Sequence, residues 1–460
     1  MAVAALSILW PVMVAALGGF LLGYSEVIVN GAADPLRVSL GLTPAQLGLV
    51  VAAAPIGAVI TGLFSTRLAA FIGRVPGMQL AALAFISSFV GSAFSSAMPS
   101  LFLWRLLAGI GIGLASVVVP AYLTEIAPAS MRGRIGSVMY CAIGLGILLA
   151  LVFEALLALA VPGADPVQRL GSMELWRWML LSGSLPALLY LLLLPRVSES
   201  PRVLVREGRL EQARRVFSVF GASNPDHLVQ QVQDSFAVKD SQRAGALGFW
   251  QVLALPVVWS GIVLACFQQF NGINAVFYYS TLIWQSIGFS PEVSLGWSVV
   301  TAAVNLLATL ITVMLVDRLG RKLLLLIGSA GMTLSLMALS IGLRGLGMPQ
   351  VPDPLGGSSA VVVMIAVNLF VLAFGCSWGP VLWILLGELF SNRIRETALG
   401  VSVTAKWLAT ILISLSFPLW LKHAGPSFPF ACFAVFSLIS FIYVLIALRE
   451  TRGRELEQMG

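Results

Sequence analysis

Charge is what this chain has least of. Asp, Glu, Lys and Arg make up 10% of its 460 residues against 58% hydrophobic ones, and the mean hydropathy is +0.95. A water-soluble protein of this length needs far more surface charge, so the composition places the chain in lipid. Cysteine is scarce too. Cys141, Cys266, Cys376 and Cys432 all lie in apolar stretches without CxxC spacing, which indicates neither a disulfide framework nor a zinc site. The two histidines, His227 and His423, fall in or near expected loops without an evident partner, so no catalytic constellation presents itself. No GxxxxGK[ST] appears, which argues against ATP-driven transport. Neither a cofactor nor a metal is expected. The opening MAVAALSILWPVMVAALGGFLLGY lacks a basic leader and a small-residue cleavage site, and reads as a first membrane helix rather than a removable signal.

What is present is a series of apolar runs, each roughly 20 residues long, the length that crosses a bilayer. They begin near residues 8, 45, 77, 100, 135 and 176, then near 252, 293, 323, 360, 397 and 427. The runs are apolar throughout and do not alternate, which excludes a membrane β-barrel. The expectation is an all-α membrane protein with twelve transmembrane helices in two groups of six. The net charge of +7 could signal nucleic acid, but the basic residues concentrate in alternate short loops. Arg67 and Arg74, Arg132 and Arg134, Arg318, Arg321 and Lys322, and Arg393 and Arg395 mark the cytoplasmic side and put both termini there.

The boundaries expected are a first six-helix half over 1–195, a cytoplasmic amphipathic linker over 196–248, a second half over 249–448 and a short tail over 449–460. In the linker, SPRVLVREGRLEQARRVFSVFG has apolar residues at helical spacing; the polar NPDHLVQQVQDSFAVKDSQRAG reads as part helix, part linker. The halves repeat a feature: Glu125 precedes Arg132 by seven residues, and Glu388 precedes Arg395 by seven. Related halves with an acid–base pair at one edge are the footprint of a rocking transporter, the pairs acting as latches. Anchoring of helix ends against headgroups is the plainer alternative.

The stretch FQQFNGINAVFYYS (267–280) interrupts an apolar run with amides and phenols. Unpaired in lipid, such groups would cost several kcal/mol each, so they must face a cavity or another helix. Gln268, Asn271 and Asn274 fall at spacings of three and six, which permits one polar face. An amide both donates and accepts, as a sugar hydroxyl does. Gly272 permits a bend. Interhelical bonding without a ligand is the bland alternative.

Five motifs in order carry a resemblance over essentially the whole chain. RLLAGIGIGLASVVVPAYLTEIAPASMRGRIGS (105–137), SESPR (198–202), QQxxGxN (268–274), DRLGRK (317–322) and RETRG (449–453) resemble the signatures of the sugar porter family of the major facilitator superfamily. The resemblance implies the major facilitator fold, with two pseudo-symmetric halves. It implies sugar contacts from Gln268, Gln269, Asn274, Asn305, Trp378, Trp383 and Trp407. It also implies an outer gate at Tyr278 and Tyr279, and a cytoplasmic latch drawn from Glu125, Arg132, Glu199, Arg202, Asp317, Arg321, Glu388 and Arg395. An indole suits the apolar face of a pyranose, while its N–H reaches a hydroxyl; a single tryptophan is as readily a packing residue.

Departures from the family pattern bear on substrate and energetics. Tyr140 stands at the fifth-helix glutamine position, Lys406 replaces the amide before Trp407, Thr410 replaces an asparagine, and Thr66 stands where the first-half loop has aspartate. A central lysine costs about 2.5–3.5 kcal/mol on insertion, so Lys406 needs a partner, a wet cavity or a task. It could meet a buried acid, touch a sugar hydroxyl or favour an anionic sugar. In GYSEVIVNGA, Ser25 occupies the position of the coupling aspartate and Glu26 follows, while Arg105 matches the family arginine. Glu26 is either a protonatable group near Arg105 or Lys406, or a solvated residue at the outer interface. Glu154 is a further intramembrane acid to which no role beyond a helix contact is assigned.

The reading is a secondary transporter of a monosaccharide, a hexose such as glucose first, working by alternating access with a proton, as a monomer in a plasma or bacterial inner membrane. Uncoupled facilitation and transport of a polyol, cyclitol or sugar acid remain open. The short tail argues against a non-transporting sugar sensor.

Overall fold

The computed structural model describes residues 2–127, 132–161, 167–219, 224–243, 248–345, 358–390 and 394–448. Among them, eleven helices are long and apolar enough to cross a membrane, and each starts within three residues of an expected span. Their outward faces are bare hydrocarbon: Ile446, Leu185 and Leu334 are 78%, 74% and 69% exposed, which suits lipid and not water.

The seventh span is broken. Its backbone runs as Pro256–Phe270, Ile273–Tyr278 and Ser280–Ser286. The first break sits at Gly272, whose φ of +88° is a conformation that side chains strain, and whose missing Cβ leaves room for the Phe433 ring. The Asn271 side chain accepts the Ile273 N–H at 3.1 Å, so the broken backbone is satisfied locally. The tenth span is broken in the same manner, as Ser358–Gly375 and Trp378–Leu389. Irregular backbone at membrane depth survives where protein or a cavity surrounds it.

The first six spans pack among themselves. Pro44–Ile72 and Arg74–Ala93 lie against Met98–Ile126, and Ala2–Val27 lies against Arg132–Ala160. Gly57 and Gly109 meet where a methyl on either would strike the opposite main chain. In the second group, Arg321–Gly345 packs on Ser427–Ala447 and Ser358–Gly375. The groups meet most extensively where Pro44–Ile72 packs on Arg395–Ala424 and Arg132–Ala160 on Pro291–Leu319, and Ala2–Val27 also touches Ile273–Tyr278.

The segment between the groups forms helices Pro201–Arg206, Leu210–Val219 and Pro225–Arg243, around a separate small core of Leu204, Val205, Ala213, Val216 and Val229. The third helix is longer than the part-helix reading of its polar sequence. At the opposite end of the spans, a two-residue hairpin pairs Arg169 with Glu174 and Leu170 with Met173.

Candidate functional site

The breaks in the seventh and tenth spans face each other, and the amides of the seventh fill the gap. Gln268 Nε2 donates to the carbonyls of Trp378 (2.9 Å) and Gly379 (3.3 Å), in the first turn of the helix that follows the tenth-span break. Gln268 Oε1 accepts from Gln269 Nε2 at 3.2 Å. Gln269 Oε1 then collects two donors, Asn274 Nδ2 at 2.6 Å and Thr410 Oγ1 at 2.9 Å. Gln268 and Gln269 are buried, whereas Asn274 is half-buried and so keeps polar capacity free at the edge of the network. Thr410, a departure from the family pattern, is thus the hydroxyl that ties the eleventh span to the seventh.

Beside this network lies an aromatic and charged corner. The Lys406 ammonium sits 3.7 Å from the Trp407 ring centroid and 5.7 Å from that of Trp383. Cation–π contacts contribute about 0.5–2 kcal/mol, more as water is excluded, which offsets part of the cost of a lysine here. Its charge also bears on Glu26 of the first span, and that of Glu26 on Lys406, from opposite groups of helices. Glu26 is half-buried on the first span. Arg105 takes a different place: it is buried and its Nη2 reaches the Ser25 carbonyl at 3.3 Å.

The remaining expected residues divide. Trp378 is fully buried, and its indole N–H donates to Ser329 Oγ at 2.8 Å. In this state it offers the site its carbonyl, through Gln268, and not its ring. Asn305 is buried against Gly375 at the tenth-span break. Tyr140 is half-buried on the fifth span, and among the described contacts none links it to the network. Tyr278 and Tyr279 are buried; Tyr279 donates to the Ser414 carbonyl at 3.0 Å and stacks on Phe417.

At the basic end of the bundle, the acid–base pairs among the described side chains are Arg74–Glu125 and Arg321–Glu388. Arg74 holds Glu125 through two bonds, Nε to Oε2 at 3.1 Å and Nη2 to Oε1 at 2.8 Å, and Ser200 Oγ donates to Oε2 at 2.6 Å. In the second half Arg321 Nη2 meets Glu388 Oε1 at 2.8 Å. Arg395 donates its Nε–H to the Phe390 carbonyl at 3.1 Å. The Arg132 and Asp317 side chains and the RETRG motif lie outside the described residues. Each described pair closes within one half. The signal for it was in the sequence: Gly73–Arg74 and Gly320–Arg321 repeat, with each glycine at positive φ (+99° and +85°) and each arginine opening a helix.

Glu199 caps the helix that Arg74 begins, accepting the N–H groups of Arg74 (3.1 Å) and Val75 (3.0 Å). Burial pushes its carboxyl above the usual range, and the N–H bonds from Ser200, Val75 and Arg74 oppose the shift. Arg202 lays its guanidinium over the Phe236 ring at 5.4 Å, which fastens the linker helices to one another.

A family model described as "Sugar (and other) transporter" matches residues 12–460. A glucose transport protein of Synechocystis is 38% identical over 447 residues, covering 97% of this chain and 95% of that protein. The D-xylose-proton symporter of Escherichia coli is 32% identical, covering 97% of this chain and 94% of its own length. The fold superposes on the partially occluded, inward-open xylose transporter XylE of Escherichia coli with a TM-score of 0.82 at 30% identity, over 96% of this chain and all of that one.

Proposed function

The chain belongs to the sugar transporter family, and from that premise we propose that it carries a monosaccharide, glucose first, together with a proton. The halves over 1–195 and 249–448 rock as bodies about a site at the two broken spans. The basic end, with Arg74–Glu125 and Arg321–Glu388, faces the cytoplasm of a bacterial inner membrane, as do both termini, and the chain works as a monomer.

The observation that carries the sugar reading is the amide–hydroxyl chain from Gln268 to Thr410, ending in the half-buried Asn274 beside Trp383, Lys406 and Trp407. Asn274, Gln269 and Asn305 exchange hydrogen bonds with hydroxyls, while Trp383 and Trp407 cover the sugar's apolar face, with Tyr140 opposite. Coupling follows from charge. An ionised Glu26 attracts Lys406 across the division between halves; a protonated one does not, so the proton biases how the halves sit. Arg105 fixes the backbone at Ser25 and so aims Glu26.

The test is uptake of labelled glucose by proteoliposomes with and without an inward proton gradient. Accumulation above equilibrium that a protonophore collapses is the expected result. Equilibration indifferent to the gradient would instead establish uncoupled facilitation. A chain that ignores glucose yet takes up a sugar acid would move the substrate assignment to anions, with Lys406 the reason.

A further inference from the structure

The site just described leaves Glu154 unused. It is fully buried in the helix Arg132–Ala160, twenty-two residues beyond Arg132, or about 33 Å of helix from the basic end. Its Oε2 accepts the Gly31 N–H at 3.0 Å, while its Oε1 has no hydrogen-bond partner among the described residues. A carboxyl this deep without a charged partner is costly, so its one bond is expected to have a use. Gly31 follows the first span and leaves no slack: a Cβ there would lie 2.8 Å from Glu154 Oε2 and 3.0 Å from Leu295.

The next residue back carries the contact across the molecule. Asn30 is fully buried, its Oδ1 accepts the Thr281 N–H at 3.1 Å, and its carbonyl accepts from Thr281 Oγ1 at 2.9 Å. Thr281 belongs to Ser280–Ser286, the last piece of the broken seventh span. Ser280 in turn shares a 2.7 Å hydrogen bond with Ser298 of the eighth span. One buried chain therefore runs from the fifth span through Gly31 and Asn30 to the seventh and eighth, and crosses from one half to the other at Asn30–Thr281.

We propose that Glu154 is the positioning residue of the outer gate. By fixing Gly31 it holds Asn30 where Thr281 can close on it, and so keeps the outer end shut while the site faces inward. The proposal rests on the alternating-access reading. Opening outward breaks Asn30–Thr281, while the Glu154–Gly31 bond stays within one half and resets the joint for the next closure.

The test uses the full-length chain with its four cysteines changed to serine and one reporter cysteine at Val29, buried beside Asn30. Intact cells are labelled with a membrane-impermeant maleimide. Glu154→Gln keeps an acceptor for Gly31 and is expected to label at the rate of the unmutated chain. Glu154→Leu, Gly31→Ala, which pushes the carboxyl aside, and Thr281→Val are each expected to label roughly tenfold faster, as the outer end opens more often. If Glu154→Leu does not reach the membrane, Thr281→Val carries the result, because a methyl replaces a hydroxyl of the same shape. Unchanged labelling in Thr281→Val, or Glu154→Gln labelling as fast as Glu154→Leu, would overturn the proposal. Absence of sugar uptake by the unmutated chain would overturn the transport reading instead, and is read in a separate assay.

Discussion

Thr410 Oγ1 donates to Gln269 Oε1 at 2.9 Å, and Asn274 Nδ2 reaches the same oxygen at 2.6 Å. The threonine that stands in place of the family's asparagine thus keeps a polar tie between the eleventh span and the seventh. Replacing it by valine removes a donor from a buried oxygen, a loss of about 1–3 kcal/mol for such a group. Thr410→Val is expected to raise the KM for sugar uptake roughly tenfold with a smaller change in kcat. Thr410→Asn, which can still donate, is expected to stay within about threefold of native. Concentration-dependent uptake in proteoliposomes measures both.

Lys406 stands in two relationships, with the Trp407 and Trp383 rings and with the charge of Glu26. Lys406→Met keeps the stem and removes the charge. On the coupling account it abolishes accumulation above equilibrium and leaves sugar exchange within about tenfold. Combined with Glu26→Gln it should do no more than either change alone, because the two act as one unit. Additive losses of exchange activity would count against that pairing.

Arg74 and Glu125 are largely withdrawn from solvent, with side chains 17% and 12% exposed. Removing one member of such a pair strands the other, at a cost of about 3–5 kcal/mol for a fully buried pair and less here. Arg74→Ala should lower the thermal midpoint of the purified protein in detergent by several degrees. Arg74→Lys should recover part of that, since an ammonium cannot fork onto both carboxylate oxygens. A midpoint unchanged by Arg74→Ala would mean that the pair does not hold the basic end together.

Much of the fold was legible because its strongest signal is one-dimensional: apolar runs of membrane length mark the spans, and QQFNG marks the break in the seventh. Partners were harder to read. An arginine that holds Glu125, Arg74, lies fifty-one residues away in sequence, where the loop after the second span returns. Glu154 binds a backbone N–H, which every residue but proline supplies, so no side-chain pattern could announce it. Trp378 reads as a sugar platform from its sequence neighbours, while its indole N–H is taken by Ser329, a serine with no distinguishing context. The full length of the helix Pro225–Arg243 is hard to read from sequence because its polar residues lack the apolar stripe from which a surface helix is recognised.

The most direct test of the coupling account is one substitution read in two assays. Glu26→Gln keeps the shape of the side chain and cannot lose or gain the proton. In proteoliposomes with an inward proton gradient it should fail to accumulate labelled glucose above equilibrium, while counterflow exchange of labelled for unlabelled glucose continues within about threefold of native. Uphill accumulation that survives Glu26→Gln would contradict the account and leave Glu26 a structural neighbour of Lys406.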